Sequence, residues 1–168
     1  MSGTLVVYAT RFGSAREVAE ALAEALREVG LQVHVRSARA ARDLAPYDLV
    51  VLGAPLCGAS WHPDLLGFLE RHCEALVNRD VAIFALGPRT PSHEGSWARG
   101  RAQLDAALRN VAWLSPVSVA LFGGIDPQTR KGERHPQPER DAVRTWATSI
   151  AEYALPDNGI SSAWRALR

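Results

Sequence analysis

The chain is poor in the residues that build disulfide frameworks, metal clusters and membrane spans. It has two cysteines, Cys57 and Cys73, in neither a C-x-x-C pair nor a zinc-type spacing. That excludes a disulfide scaffold and a cysteine-based metal site, and points to a reducing compartment, the cytoplasm. No apolar run reaches the roughly 18 residues needed to cross a bilayer. The N-terminus enters a strand pattern at once, with no basic segment or cleavage site, so no secretion leader is expected. Charge of one sign is also scarce. Nineteen Lys and Arg against 18 Asp and Glu leave a formal net charge of +1. The arginines are spread among acids, which argues against a nucleic-acid-binding arm. There is no internal repeat and no domain linker.

What is present is an ordinary globular composition, 47% hydrophobic and 22% charged over 168 residues. That length suits one domain with a full core. The expected domain is 1–155, with 156–168 a loosely held tail beyond Pro156.

Apolar runs alternate with helical patterns. Leu5 to Ala9 reads as a buried strand, and Val18, Leu22, Leu26 and Val29 recur at helical spacing after it. Ser14 and Glu17 have the form of a capping box, and Gly30 is the expected stop. Leu31 to Ser37 alternates as a second strand, and Tyr47 to Gly53 is nearly all apolar, as in a central parallel strand. Pro63 suits the first turn of a helix whose inner side is Leu66, Leu69, Cys73 and Leu76/Val77. Val81 to Leu86 is the fourth strand, Gly87 to Ser96 a loop, and Trp97 to Asn110 a helix. Trp113 to Phe122 is the fifth strand, with Pro116 favouring an edge position. Gly124 to Pro138 is a long polar loop, and the last helix carries Val143, Trp146, Ala147, Ile150 and Ala154. Cys73, Trp113 and Trp146 read as core. Five strands with alternating helices predict a three-layer α/β fold, a parallel sheet of order 2-1-3-4-5. Its ligand crevice lies between strands one and three, where residues 10–15 and 54–62 meet.

The first of these segments, Thr10-Arg11-Phe12-Gly13-Ser14-Ala15, sits between a strand and a helix, where backbone N–H groups hold phosphate. The second, Ala54-Pro55-Leu56-Cys57-Gly58-Ala59-Ser60-Trp61, offers small residues and a ring able to stack on a flat cofactor. Leu86, Gly87 and Pro88 form the expected opposite wall. Together they suggest a flavin mononucleotide (FMN) site without metal or protein nucleophile. Cys57 reads as a small filler rather than a redox thiol. His62 reads as a residue preceding the helix, with proton donation to a flavin as the alternative. Trp97 is a candidate crevice residue. Arg89, His93, Arg99 and Arg101, and the basic stretch Arg130 to His135, read as solvated surface that could also attract an anion.

At these residues the sequence resembles the flavodoxin family, whose phosphate loop is S/T-x-T-G-x-T. Thr10 and Gly13 match it; Phe12 and Ala15 replace hydroxyl residues, leaving backbone donors, Ser14 and Arg11 to hold phosphate. Within that superfamily it is similar to the menaquinone-dependent protoporphyrinogen oxidase type. Tyr8-Ala9-Thr10-Arg11-Phe12-Gly13, Tyr47-Asp48-Leu49-Val50-Val51-Leu52-Gly53-Ala54, Trp61-His62 and the loop from Gly87 to Ser96 carry that likeness. One departure is the polar stretch from Gly123 to Pro138, shorter than the apolar and basic insert of the membrane-facing oxidases. The resemblance implies an FMN-dependent oxidoreductase that dehydrogenates a reduced ring, with a tetrapyrrole or quinone as small-molecule partner. Two alternatives stand beside it. One is a flavodoxin-type electron carrier serving redox partners, against which the near-neutral charge counts. The other is a domain that has lost FMN and acts as an interaction or regulatory module. Homodimer formation is left open.

Overall fold

Successive strand residues feed two different cores. The computed structural model describes residues 3–11, 13–57, 59–87, 94–123 and 137–154, with 94–97 and 137–139 described by backbone alone. Leu5, Val7, Val50, Leu52, Val81, Ile83 and Ala85 face one core; Val6, Leu49, Val51, Ala82, Phe84 and Leu86 face the other. Two-sided burial of this kind explains why the central strands read as unbroken apolar runs.

The elements follow the order β1 (Gly3–Tyr8), α1 (Ser14–Glu28), β2 (Val33–Ser37), β3 (Tyr47–Cys57), β4 (Ser60–Trp61), α2 (Pro63–Arg71), α3 (Cys73–Val77), β5 (Asp80–Gly87), α4 (Glu94–Arg109), β6 (Ser118–Gly123) and α5 (Gln137–Ala151). The parallel path is β2-β1-β3-β5-β6, and β4 pairs antiparallel with the end of β3. Setting aside the two-residue β4, this is the expected 2-1-3-4-5 order. Helices α1 and α5 cover one face; α2, α3 and α4 cover the other.

The α1/α5 side is closed by an aromatic trio. Phe84, Phe122 and Trp146 have ring centroids 5.7–6.2 Å apart, in tilted and edge-on contacts that suit aromatic quadrupoles. The Trp146 Nε1–H donates to Ser118 Oγ at 2.8 Å, so the indole is buried without losing its hydrogen bond. The Phe84 ring also occupies the space that a Cβ on residue 53 would need, which makes Gly53 obligatory.

Several boundaries differ from expectation. Strand β3 runs to Cys57 because Ala54 and Pro55 keep pairing with Ala85 and Leu86, and Leu56 and Cys57 pair with Trp61 and Ser60. The helix expected from Pro63 to Val77 divides at His72, which closes α2 through its N–H to the Phe68 carbonyl and precedes α3. Cys73 is therefore the first residue of a short helix and is half-buried rather than core. Trp113 is 42% exposed, a correction to its core reading. It falls between α4 and β6, which begins only at Ser118, so no strand face turns it inward. Helix α4 begins at Glu94, before Trp97. Gly30, at φ 96°, ends α1 as expected. The tail after Pro156 and the basic stretch at 130–135 lie outside the described residues.

Candidate functional site

Strand β1 and helix α1 are joined by a short loop at the point where the chain's path across the sheet reverses, β2 lying on one side of β1 and β3 on the other. Gly13 is the helix N-cap, with φ 91° and ψ −11°. Only glycine takes this left-handed conformation without strain. A Cβ at Gly13 would meet nothing within 4 Å, so the space beside the loop is open. The Thr10 hydroxyl accepts the Gly13 N–H at 2.8 Å and ties the loop across its base.

This arrangement corrects the capping-box reading. Gly13 is the cap, Ser14 is already helical, and the cap residue itself makes no side-chain hydrogen bond. The reason is that the glycine turn and Thr10 together start the helix one residue early. Ser14 is half-exposed. The first intrahelical bond is Glu17 N–H to the Gly13 carbonyl at 3.1 Å. The Ser14, Ala15 and Arg16 N–H groups thus precede any helix carbonyl able to accept them. Arg11 is exposed beside them. Arg16 is engaged along the helix by Glu20 at 3.2 Å, which leaves Arg11 as the loop's own cation. Backbone donors and the positive end of the helix dipole lie at this turn, with a hydroxyl (Ser14) and a guanidinium (Arg11) next to it in the chain, a donor set of the kind that suits an anion.

The second wall is formed by the ends of β3 and β5. Pro55, Leu56, Cys57 and Gly87 are half-buried there. Ala54 and Leu86 are 0% and 6% exposed, with side chains in the two cores, which leaves almost no side-chain surface of either at the strand ends. Trp61 is 1% exposed and packed in the α2–α4 core. It presents no open face, a correction to the stacking reading: pairing with Leu56 in the small hairpin turns the ring inward. Its buried Nε1–H has no hydrogen-bond partner. His62 is a helix cap. Its Nδ1 accepts the Asp64 N–H at 3.1 Å, ahead of Pro63 at the first helical position. The His-Pro-Asp order carried that signal, since proline at this position marks the residue before it as the cap. Arg99 and Arg101 are exposed. Phe12, Gly58, Pro88, Arg89, His93 and the side chain of Trp97 lie outside the described residues. Among the described residues no helix is long and apolar enough to cross a membrane, and no cluster of His, Cys, Asp or Glu could hold a metal ion.

Comparison with known proteins agrees with this fold. The family described as Flavodoxin domain matches residues 5–130. Protoporphyrinogen IX dehydrogenase (quinone) of Escherichia coli strain K12 is 31% identical over 124 residues, 73% of this chain and 68% of that protein. Oxidised flavodoxin 1 from Bacillus cereus superposes with a TM-score of 0.63 at 15% identity, over 90% of this chain and 98% of that one. Rubredoxin oxygen:oxidoreductase from Desulfovibrio gigas gives 0.62 at 16% identity; 90% of this chain is covered, but only 36% of that longer one. The two structures share the fold.

Proposed function

The chain belongs to the flavodoxin domain family, and on that footing we propose that it binds FMN at the carboxyl edge of β1 and β3 and acts as an oxidoreductase on a reduced ring substrate. The observation that carries this reading is the Gly13 turn: a left-handed glycine opening onto free space at the start of a 15-residue helix.

The residues present fit the phosphate end of the cofactor. The Ser14, Ala15 and Arg16 N–H groups, the Ser14 hydroxyl and Arg11 would hold it, with Thr10 bracing the turn. Each charge-assisted hydrogen bond is worth about 1.5–3 kcal/mol and a neutral one roughly 1 kcal/mol. Backbone donors to a dianion are charge-assisted and do not depend on the side chains at positions 12 and 15, so this part of the site survives the loss of the hydroxyls that Phe12 and Ala15 replace. Pro55, Leu56, Cys57 and Gly87 would border the ring. FMN, when bound, supplies the electron-transfer chemistry. The chain's task is to orient it, and the apolar strand ends limit water at its edge. The E. coli relative's name supports a tetrapyrrole as substrate and a quinone as acceptor.

The burial of Trp61 favours a second reading, a domain without flavin that serves as an interaction module. Visible absorbance of freshly purified protein, followed by cofactor extraction, separates the two. A flavin band with FMN as the extracted species supports the first. Colourless protein with no saturable quenching of added FMN removes the first and leaves the second. Steady turnover of a reduced ring substrate by the purified protein alone separates an enzyme from an electron carrier.

A further inference from the structure

A hollow of about 490 Å³ lies between the connection that leaves β2 and the length of α2, and residues of the α1 loop are not among those lining it. Arg39, Arg42 and Arg71 line it against one acid, Asp64. Among the described residues none of these arginines has an ion-pair partner, whereas Arg16 pairs with Glu20 and Arg144 with Glu28. His72, also in the lining, stays neutral more readily than an ordinary imidazole, because burial and the Arg71 charge both oppose its protonation.

Arg71 is set in place before any ligand arrives. Its Nη2 donates to the Ala38 carbonyl at 3.0 Å. Its Nη1 lies 3.3 Å from where a Cβ on Gly67 would stand, so the missing side chain at Gly67 lets the guanidinium fold back along the helix. A guanidinium has five N–H donors, and the Ala38 carbonyl takes one of them. Ala41 and Pro63 supply apolar wall. Three like charges around one hollow repel each other, and an anion within it relieves that repulsion. The hollow is open to solvent on one side and its three arginines are exposed, so a ligand would be held by charge and hydrogen bonds more than by enclosure.

We propose that this cavity binds a small organic molecule bearing carboxylate or phosphate oxygens, held by Arg71 with added charge from Arg39 and Arg42. The proposal does not depend on flavin binding. Ala38 donates its N–H to the Tyr8 carbonyl at the ends of β2 and β1, so the cavity borders the same sheet edge as the α1 loop.

Calorimetric titration of the full chain with succinate, inorganic phosphate and neutral succinamide tests it. Saturable one-to-one binding of succinate or phosphate, without binding of succinamide, is the expected result. The tighter of the two anions identifies the source of the oxygens. Arg71→Gln should weaken binding about tenfold or more. The Arg39→Gln/Arg42→Gln pair should weaken it to a similar degree; neither side chain bonds to another described group across the cavity, so this variant tests the site without disturbing the fold. Arg144→Gln, on the opposite face, should leave binding unchanged. Absence of saturable binding overturns the proposal. So does equal weakening in every arginine variant, or loss in Arg11→Gln with retention in the Arg39/Arg42 pair, which would move the anion to the α1 loop.

Discussion

The Thr10 hydroxyl accepts the Gly13 backbone N–H at 2.8 Å, closing the loop between β1 and α1 from its own side chain. One donor of the turn is thereby used internally, while the N–H groups of Ser14, Ala15 and Arg16 that follow have no acceptor among the described residues. Thr10 is then a brace first, and its own O–H is left to donate outward.

Removing the brace should loosen the turn without unfolding the sheet. Thr10→Val is expected to weaken FMN binding about tenfold and to cost no more than about 1 kcal/mol of stability. Thr10→Ser should retain near-normal affinity. Quenching of FMN fluorescence and a urea melt check both halves; equal affinity in the valine variant would remove Thr10 from the site.

Gly53 and Phe84 form a tighter constraint. Gly53→Ala drives a methyl into the Phe84 ring, which is itself enclosed by Phe122 and Trp146. A loss of about 2–3 kcal/mol is expected in denaturant unfolding. Phe84→Leu in the same chain should recover part of the alanine-specific loss. A fully stable Gly53→Ala would mean the ring has somewhere else to go.

Trp61 separates core from cofactor contact. Its bulk fills the α2–α4 core, while its Nε1–H is buried and unpaired. Trp61→Phe removes the orphan donor and keeps most of the bulk, so it should change stability by less than about 1.5 kcal/mol. Trp61→Ala should cost about 3–5 kcal/mol. Neither change should shift the absorbance spectrum of bound flavin by a direct contact; a displaced spectrum in the phenylalanine variant would restore the stacking role.

His72 gives a pH signature. Burial, then the Arg71 charge, lowers its pKa below 6.5, against a hydrogen bond to the Ala41 backbone that raises it; the Phe68 ring lies 4.6 Å away. The unfolded chain therefore takes up this proton first. The contribution of His72 to stability is complete above the ordinary imidazole pKa and is lost as pH falls through it toward the lower folded value. His72→Gln should show a shallower fall of Tm between about pH 7 and pH 5 than the natural chain. Parallel curves would contradict the assignment.

The sheet order and the α1 loop were legible because their signals are local or periodic. Val50 to Leu52 and Val81 to Leu86 are apolar throughout, as strands with two buried faces must be. Val18, Leu22 and Leu26 keep a helical period up to the stop at Gly30. Other features depend on long-range packing. Leu66, Leu69, Cys73 and Leu76 hold their period straight through His72, so the break between α2 and α3 leaves no pattern. A tryptophan after a small-residue loop suits stacking and burial equally, and only the Leu56–Trp61 pairing decides between them. Trp113 lies in an apolar stretch but before the strand it was assigned to. Arg39, Arg42 and Arg71 meet only because the connection after β2 packs along α2.

The central claim is that the Gly13 turn holds the phosphate of FMN. Fluorescence titration of FMN into the natural chain and into Gly13→Val, with a thermal melt of each, tests it most directly. Saturable binding by the natural chain and at least a tenfold loss in a folded valine variant is the predicted result, since the branched side chain strains a left-handed backbone and fills the open space. Equal affinity in two folded proteins, or no binding by the natural chain, would contradict it.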